Sequence, residues 1–271
     1  KEMLAQAAHK LRITISGDFS TIEEIADPFT IQPGTVSAKS GHYAYHSFTE
    51  AVSLAHTRKV DAICTLPIHK KAWELAGVTY KGHTDALRDI FDKEAIMMLG
   101  CPKMYVALYT EHIPLKEVAV SLSVEKLTRF LVDFHRETQP ETPVAVLGLN
   151  PHAGDNGVLG SEEEIIVEAM QNAASQIGKP LERLFSGPVV PDVAFTPVMR
   201  SHYTHFVAMY HDQGLAPLKA LYFEESINVS LNLPIVRTSV DHGTAFDIAY
   251  RGKTLNAQSY INAIHYIKEM P

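Results

Sequence analysis

The 271-residue sequence contains no apolar run approaching the roughly 20 residues of a membrane-spanning helix, so no span is expected. It also lacks blocks of like charge, and its net charge of -7 at pH 7 disfavours nonspecific binding to DNA. Its two cysteines, Cys64 and Cys101, have neither metal-type nor redox-type spacing, and we expect both to be core residues. These absences favour a cytoplasmic protein over a secreted, membrane or nucleic-acid-binding one.

A Gly-x-Gly-x-x-Gly motif is also absent, and with it the conventional Rossmann phosphate loop. The first residue is Lys1 rather than Met, within a helix-like pattern, and we expect the natural N-terminal segment to be missing. The composition is that of an ordinary globular protein, with 46% apolar and 20% charged residues. We interpret residues 1–271 as a single unit of two α/β lobes, whose boundaries the sequence does not define.

Short apolar and β-branched runs alternate with longer amphipathic stretches, which is typical of a mostly parallel sheet covered by helices. The predicted strands are "DAICTLP", "AIMMLG", "MYVALYT", "PVAVLGLN" and "HFVAMY". The predicted helices are "KEMLAQAAHKL", "SVEKLTRFLVDFHRE", "SEEEIIVEAMQNAASQIG" and "NAQSYINAIHYIKEM", with apolar residues three or four positions apart. Segment 16–41 has no clear periodicity of apolar residues, and we predict a hairpin or a lobe boundary there.

Three histidines, His112, His152 and His211, each follow the carboxyl end of a predicted buried strand. If those strands are parallel in one sheet, the imidazoles lie along the same edge, where open α/β sheets bind their ligands. Three neutral imidazoles with an open coordination position are typical of a catalytic site for zinc or a similar divalent ion, which would polarise a substrate oxygen. The alternative for each is a loop histidine hydrogen-bonded to backbone. The Pro and Gly turns predicted in "NPHAG" and "HDQG" would fix the histidine positions and so favour the metal site.

Several residues suit an anionic ligand. The stretch "KGHTDALRDIF" puts His83 and Thr84 at the start of a predicted helix, where backbone N–H groups, a hydroxyl and an imidazole suit a phosphate. An ordinary N-cap at Thr84 is the alternative. Lys219, Asn228 and Arg237 lie near predicted strand ends, and a Lys with an Arg suits a phosphate and a carboxylate. The alternative is that Lys219 and Arg237 are solvated surface charges.

The stretch "TSVDHGTAFDIAYRGK" contains a compact polar turn, His242, Gly243, Thr244 and Ala245, ahead of a predicted short helix from Phe246 to Tyr250. Backbone groups and short side chains in such a turn suit a nucleotide. If a dinucleotide binds to this chain, this turn is the first candidate for its site.

Seven stretches carry a family resemblance, in order along the chain from about Asp61 to the C-terminus. They are "LPIHK", "GHTD", "TEHIPL", "LNPHAGDNGVLGSEE", "GPVVPD", "AMYHDQGLAPLK" and "RTSVDHGTAFDIAYRGK". Together they resemble the 4-hydroxythreonine-4-phosphate dehydrogenase family of pyridoxal phosphate biosynthesis. The resemblance implies a fold similar to isocitrate and isopropylmalate dehydrogenases, with two interleaved α/β/α lobes and an active-site cleft between them. The family's N-terminal Gly/Asp/Pro-rich motif is absent here.

The resemblance also implies roles for individual residues. It implies metal ligands at His112, His152 and His211, substrate contacts at His83, Thr84, Lys219, Asn228 and Arg237, and catalytic roles for Asp192 and Lys219. It implies an adenosine loop at His242, Gly243, Thr244, Ala245 and Asp247. The implied cofactors are a divalent metal ion (zinc, cobalt or magnesium) and NAD or NADP. The implied assembly is a homodimer whose active site draws metal ligands from both subunits.

The reaction implied by the resemblance is the oxidation of 4-phosphooxy-L-threonine to a β-keto acid, which decarboxylates to 3-amino-2-oxopropyl phosphate. A dehydrogenase acting on threonate or erythronate 4-phosphate is the first alternative, because it would use the same metal and phosphate sites. A phosphate acyltransferase shares a similar two-lobed fold but needs neither the histidines nor a nicotinamide. A noncatalytic binding protein is the third alternative.

Overall fold

A computed structural model describes residues 1–17, 25–253 and 255–270. The helices in chain order are α1 (Glu2–Leu11), α2 (Ala38–His56), α3 (Lys70–Leu75), α4 (His83–Phe91), α5 (Leu115–Ser121), α6 (Val124–Thr138), α7 (Glu162–Ile177), α8 (Leu181–Leu184), α9 (Pro197–His202), α10 (His211–Tyr222) and α11 (Gln258–Glu269). The strands are β1 (Ala62–Thr65), β2 (Ile96–Cys101), β3 (Met104–Leu108), β4 (Val144–Leu147), β5 (Phe185–Val189), β6 (His205–Ala208), β7 (Ile227–Leu231) and β8 (Val236–Val240). No helix within these described residues is both long enough and apolar enough to cross a bilayer.

Local signals set the ends of several helices. Ser37 and Ser40 form a capping box at the start of α2, in which each side chain accepts from the other residue's backbone N–H. Ser123 caps α6 by accepting from the backbone N–H of Lys126 at 3.3 Å. Gly178 ends α7 with φ 75, a left-handed conformation that glycine adopts without steric strain.

The chain divides into two compact units, and the central one spans Glu94–Leu233. Its six strands lie in the order β7-β2-β3-β6-β4-β5, with β2 antiparallel to both neighbours and the other pairs parallel. β2, β3 and β4 are buried along their whole length, which explains their continuous apolar sequences. Phe206, Leu147 and Leu218 are fully buried in the main core cluster, each contributing about 1.5–3 kcal/mol to stability through burial.

The discontinuous unit combines Lys1–Lys93 with Pro234–Pro271. Its β1 and β8 pair in parallel, with Thr65 opposite Ser239. Helices α2 and α11 pack against this pair, and α3 packs on α2 around Trp73, whose side chain is fully buried. The predicted α/β class with mostly parallel strands is confirmed, whereas a cleft between two lobes stays a prediction.

Two local predictions are wrong. The turn predicted in "HDQG" is wrong, because His211 to Gly214 begin the helix α10. A Cβ at Gly214 would overlap the side chains of Val106 and Ala208, so the glycine allows α10 to lie directly against β3 and β6. The predicted short helix from Phe246 to Tyr250 is a series of turns, because Ala245 and Tyr250 have positive φ angles that a right-handed helix excludes.

The remaining local predictions concern strands, helices, the two cysteines and segment 16–41, and they are confirmed in part. The five predicted strands and four predicted helices are confirmed within a few residues at their ends. Cys101 is buried as predicted, whereas Cys64 is only partly buried, and burial raises the pKa of both thiols. In segment 16–41, residues 25–37 form no strand and α2 begins at Ala38, while residues 18–24 lie outside the described residues.

Candidate functional site

The carboxyl ends of three neighbouring parallel strands precede the three candidate metal ligands. β6 lies between β3 and β4 and runs parallel to both. His112 follows β3, His211 follows β6 and His152 follows β4, so the strand arrangement on which the prediction depended is confirmed. This is the edge of an open α/β sheet at which ligands bind.

Two of these histidines lie close together. The ring centroids of His112 and His211 are 5.5 Å apart. The Nδ1 atom of His211 lies 2.7 Å from Oδ1 of Asp212, and an Nδ1–H donating to this carboxylate leaves Nε2 as the ligating nitrogen. A carboxylate on the far nitrogen of a metal-binding imidazole fixes the ring orientation and raises its basicity. His112 and His211 are therefore suited to sharing one metal ion.

His152 is not brought into this pair. It lies exposed in a short 3-10 turn, Pro151–Gly154, with a left-handed backbone at φ 53. Across the described parts of the chain, no three His, Cys, Asp or Glu side chains are grouped as ligands of one metal ion. One chain thus supplies a pair of imidazoles and, separately, a third histidine on the same set of parallel strands.

Hydrogen bonds from buried side chains tie the three strand ends together. Gln213 is buried in the first turn of α10, where its Oε1 accepts from Met209 N at 2.7 Å and its Nε2 donates to Gly148 O at 2.7 Å. Thr110 donates to Met209 O at 2.6 Å. The segments that precede all three histidines are therefore linked through Met209 and Gln213.

A buried carboxylate organises the loop that carries His152. Glu163 accepts from the backbone N–H groups of Leu149 and Asn150, at 2.9 and 2.8 Å, and from the Asn150 side chain at 2.9 Å. The Asn150 amide also donates to Glu162, and this bond lowers the pKa of the Glu162 carboxyl. At Gly154, with φ 79, a Cβ would lie 2.6 Å from Glu163 Oε2. The loop is thus packed tightly around Glu163.

Three further candidate site residues, Lys219, Asn228 and Asp192, lie on separate elements of the central unit. Lys219 lies on α10 with its Nζ 5.4 Å from the Phe223 ring centre. Asn228 lies on β7, and its buried Oδ1 has no hydrogen-bond partner among the described residues. An orphaned acceptor of this kind suits a donor on a bound ligand, because burying it unpaired is costly. Asp192 is exposed in the turn after β5.

In the discontinuous unit, Arg237 and His83 are brought together. Arg237 is only 2% exposed, and its Nε and Nη2 donate to Thr65 Oγ1 at 3.1 and 2.7 Å. Nη2 also lies 3.4 Å from His83 Nδ1. Burial lowers the pKa of Arg237 to about 10, so its guanidinium remains charged at neutral pH. A buried cation held by a hydroxyl and an imidazole is suited to an anionic ligand.

His83 itself is neutral at physiological pH. Burial, reinforced by the charge of Arg237, lowers the pKa of His83 to about 3. The ring packs against Phe48 and Trp73, with centroids 4.7 and 5.4 Å away. His83 is the first residue of α4 and Thr84 the second, so the helix N-terminus supplies backbone N–H groups beside them. The alternative of a Thr84 N-cap is wrong, because Gly82 occupies the N-cap position.

The predicted nucleotide turn is an irregular, largely accessible loop. His242, Gly243 and Asp247 are exposed, and His242 Nδ1 lies 2.9 Å from Gly243 O. Ala245 has φ 47, a left-handed conformation unusual for alanine. At the start of the loop, the Asp241 N–H donates to Ser259 on α11 at 3.1 Å. The loop offers backbone groups and short side chains but no glycine-rich phosphate turn.

Comparison with known proteins identifies the family. The family model for pyridoxal phosphate biosynthetic protein PdxA matches residues 2–267. The chain belongs to the PdxA family. The 4-hydroxythreonine-4-phosphate dehydrogenase of Sulfurimonas denitrificans is 59% identical over 264 residues, covering 97% of this chain and 83% of the relative. The protein of that name from Campylobacter fetus is 51% identical over 266 residues, covering 98% and 85%.

A solved structure agrees with this PdxA assignment. The crystal structure of 4-hydroxythreonine-4-phosphate dehydrogenase from Klebsiella pneumoniae superimposes with a TM-score of 0.76 at 38% identity. The match covers 88% of this chain and 74% of that one. The resemblance found from motifs in the sequence is therefore confirmed.

The donor set of this PdxA-family chain fits the divalent metal ion that the resemblance implies. Imidazole nitrogens suit zinc, cobalt and related first-row ions, and the Asp212 contact prepares His211 for ligation. The residues that sequence reasoning missed are Thr65 and Glu163. Thr65 lies at the end of a strand, as do the segments that precede the three histidines, and that position was the available signal for it. Glu163 acts through backbone contacts that no motif spacing reports.

Proposed function

We propose that this protein is a metal-dependent, NAD- or NADP-linked dehydrogenase that oxidises 4-phosphooxy-L-threonine. The product would be a β-keto acid that decarboxylates to 3-amino-2-oxopropyl phosphate, in pyridoxal phosphate biosynthesis. The relatives named for this activity support the proposal through their identity over nearly the whole chain. The single structural observation that carries it is the His112–His211 pair beside parallel strand ends, with ring centroids 5.5 Å apart.

The metal site would use His112 and His211 as ligands, with Asp212 holding the His211 ring. A divalent ion there would lower the pKa of a bound substrate hydroxyl and stabilise negative charge on its oxygen. Zinc, cobalt and magnesium are the candidates. His152 would complete the set from a second copy of the chain, because His112 and His211 pair without it in one chain. A homodimer with a shared active site is therefore part of the proposal.

The anionic end of the substrate would be held by Arg237, Thr84 and neutral His83. The family resemblance assigns Lys219 a substrate contact as well. Such contacts position the reacting carbon and raise the effective concentration of reacting groups. Asn228 Oδ1 would accept a hydrogen bond from a substrate hydroxyl or amino group, since it is buried without a partner among the described residues. Asp192, exposed in a turn, and Lys219 are the candidates for proton transfer.

The loop of His242, Gly243, Thr244, Ala245 and Asp247 would bind the adenosine part of the nicotinamide cofactor, which accepts the hydride. The exposure of His242, Gly243 and Asp247 supports this assignment. We propose the cytoplasm as the compartment, which is supported by two free thiols, Cys64 and Cys101, because reducing compartments preserve them.

Subunit complementation tests the shared metal site. Homodimers of His152→Ala and of His211→Ala would both be inactive and retain little metal. After unfolding and refolding together, random association makes half the dimers mixed, and each mixed dimer has one intact site. Activity should return to about a quarter of the wild-type value. No recovery would contradict the sharing, because ligands drawn from one chain leave both sites of a mixed dimer broken.

Substrate choice is tested by steady-state kinetics with purified protein. The proposal expects a higher kcat/KM with 4-phosphooxy-L-threonine than with threonate or erythronate 4-phosphate. A preference for either hydroxy acid would transfer the assignment to that substrate while leaving the metal and phosphate sites in place.

A further inference from the structure

Two histidines on α2 form a close pair that the proposed function does not use. His42 and His46 lie one helical turn apart, and their Nε2 atoms are 3.1 Å from each other. The ring centroids are 4.3 Å apart with an angle of 52° between the rings. Residues four positions apart lie on the same face of a helix, so both imidazoles extend from one surface.

The helix holds this pair in a fixed position. The capping box of Ser37 and Ser40 starts α2 directly before the pair. Gly41 packs so closely on α3 that a Cβ there would overlap the backbone oxygen of Ala72. The residue next to His42 therefore holds α2 in place against α3. The backbone positions of the two imidazoles are fixed before any ligand binds.

A hydrogen bond between the two rings is a poor account of the geometry. A head-to-head N–H···N bond would separate the ring centres by the nitrogen distance plus two ring radii, well beyond the observed 4.3 Å. The rings instead lie side by side, with their Nε2 atoms converging. Among the described residues, neither ring has another hydrogen-bond partner. His42 is exposed and His46 partly exposed, so a small ion can reach both nitrogens.

The nitrogen separation matches a chelate. Zinc binds imidazole nitrogen at about 2.0–2.1 Å, and two such ligands at roughly a right angle lie about 3 Å apart. The observed 3.1 Å agrees with that spacing. Imidazole ligands favour zinc, nickel and copper over magnesium or calcium, which prefer oxygen.

We propose that His42 and His46 form a second metal site, a two-histidine chelate for a first-row divalent transition-metal ion, with water in the remaining coordination positions. It shares no residue with the proposed catalytic set of His112, His152 and His211. The proposal therefore stands whether or not that catalytic set is correct.

Calorimetric titration of chelator-treated protein with Zn²⁺ tests the site, using wild type, His42→Gln, His46→Gln and His56→Gln. His56, also exposed on α2, is the matched control because it lies away from the pair. Apart from any binding at the proposed catalytic set, wild type and His56→Gln should show one Zn²⁺-binding event per chain. This event should weaken at least about tenfold in either pair variant, because a lone imidazole loses the chelate. Equal isotherms for all four proteins would overturn the proposal, as would loss in only one pair variant.

A second measurement requires no substitution. Trypsin releases residues 40–58 as one peptide that contains His42, His46 and His56. Zn²⁺ should protect the first two from carbethoxylation by diethylpyrocarbonate and leave His56 reactive, as read by mass spectrometry. Equal modification of all three histidines with and without Zn²⁺ would contradict the chelate.

Discussion

Gln213 on α10 donates a hydrogen bond of 2.7 Å from Nε2 to the backbone oxygen of Gly148, at the end of the neighbouring parallel strand. The same side chain accepts from Met209 N at 2.7 Å. One buried amide thus fixes the strand ends from which both His211 and His152 follow. It acts on the candidate metal ligands by positioning the backbone segments that carry them.

Gln213→Leu should destabilise the fold by about 2–3 kcal/mol, because it leaves the Met209 N–H and the Gly148 carbonyl buried without partners. Urea unfolding monitored by circular dichroism measures this change. Gln171→Leu, at an exposed position on α7, is the matched control and should change stability by less than about 0.5 kcal/mol. An equally small effect of Gln213→Leu would show that the hydrogen bonds of Gln213 to Met209 and Gly148 are not needed for stability.

The sequence predicts part of this site for a clear reason. Parallel strands end at one edge, so an apolar run followed by His112 or His211 predicts neighbouring imidazoles without knowledge of the contacts. The Gly148 partner of Gln213 and the Arg237 partner of Thr65 escape such reasoning, because they lie 65 and 172 residues away and depend on strand register. The turn predicted at Gly214 fails because the glycine serves close helix–strand packing, which local propensity does not encode.

Two glycines of the His152 loop should respond differently to substitution. Both have positive φ, 79 at Gly154 and 89 at Gly157, so alanine is strained at either position. A Cβ at Gly154 would also lie 2.6 Å from Glu163 Oε2, whereas one at Gly157 meets no atom within 4 Å. Gly154→Ala should therefore cost at least about 1 kcal/mol more than Gly157→Ala in denaturant unfolding. Equal costs would mean that the contact with Glu163 relaxes freely.

Asp212→Asn should weaken metal binding while preserving the ligand itself. The carboxylate that holds His211 Nδ1 at 2.7 Å would be replaced by a neutral amide, which lowers the basicity of the ligating nitrogen. We expect the dissociation constant for Zn²⁺ at the catalytic site to rise about 10–100-fold, measured by competition with a chromogenic chelator. Asp92→Asn, at an exposed residue that follows α4, is the control. Unchanged affinity in Asp212→Asn would argue against His211 as a ligand.

Acid should destabilise the central unit through His205. Burial lowers the pKa of this imidazole to about 4, from its ordinary 6.5. Between these values the unfolded chain binds a proton that the folded chain does not, so stability falls as pH drops from 6.5 to 4 and is unaffected by this group above 6.5. His205→Gln should remove on the order of 2 kcal/mol of that fall, measured as urea unfolding at pH 7 and pH 4. The exposed His202→Gln is the control. The same pH dependence in His205→Gln and wild type would show that other groups cause it.

Arg237→Lys should raise KM for the phosphorylated substrate at least about tenfold with a smaller change in kcat. The buried guanidinium uses Nε and Nη2 on Thr65, which orients the fork toward an anion. Lysine keeps the positive charge but offers a single ammonium, so the paired contacts of the guanidinium with the anionic group of the substrate are lost. Because these contacts are made equally in the ground state and the transition state, their loss raises KM and leaves kcat largely unchanged. Arg129→Lys, at an exposed residue of α6 paired with Glu125 at 3.5 Å, is the matched control and should leave KM within twofold. A KM as small as the wild-type value in Arg237→Lys would remove Arg237 from the substrate site and leave it as a structural cation of the β1–β8 pair.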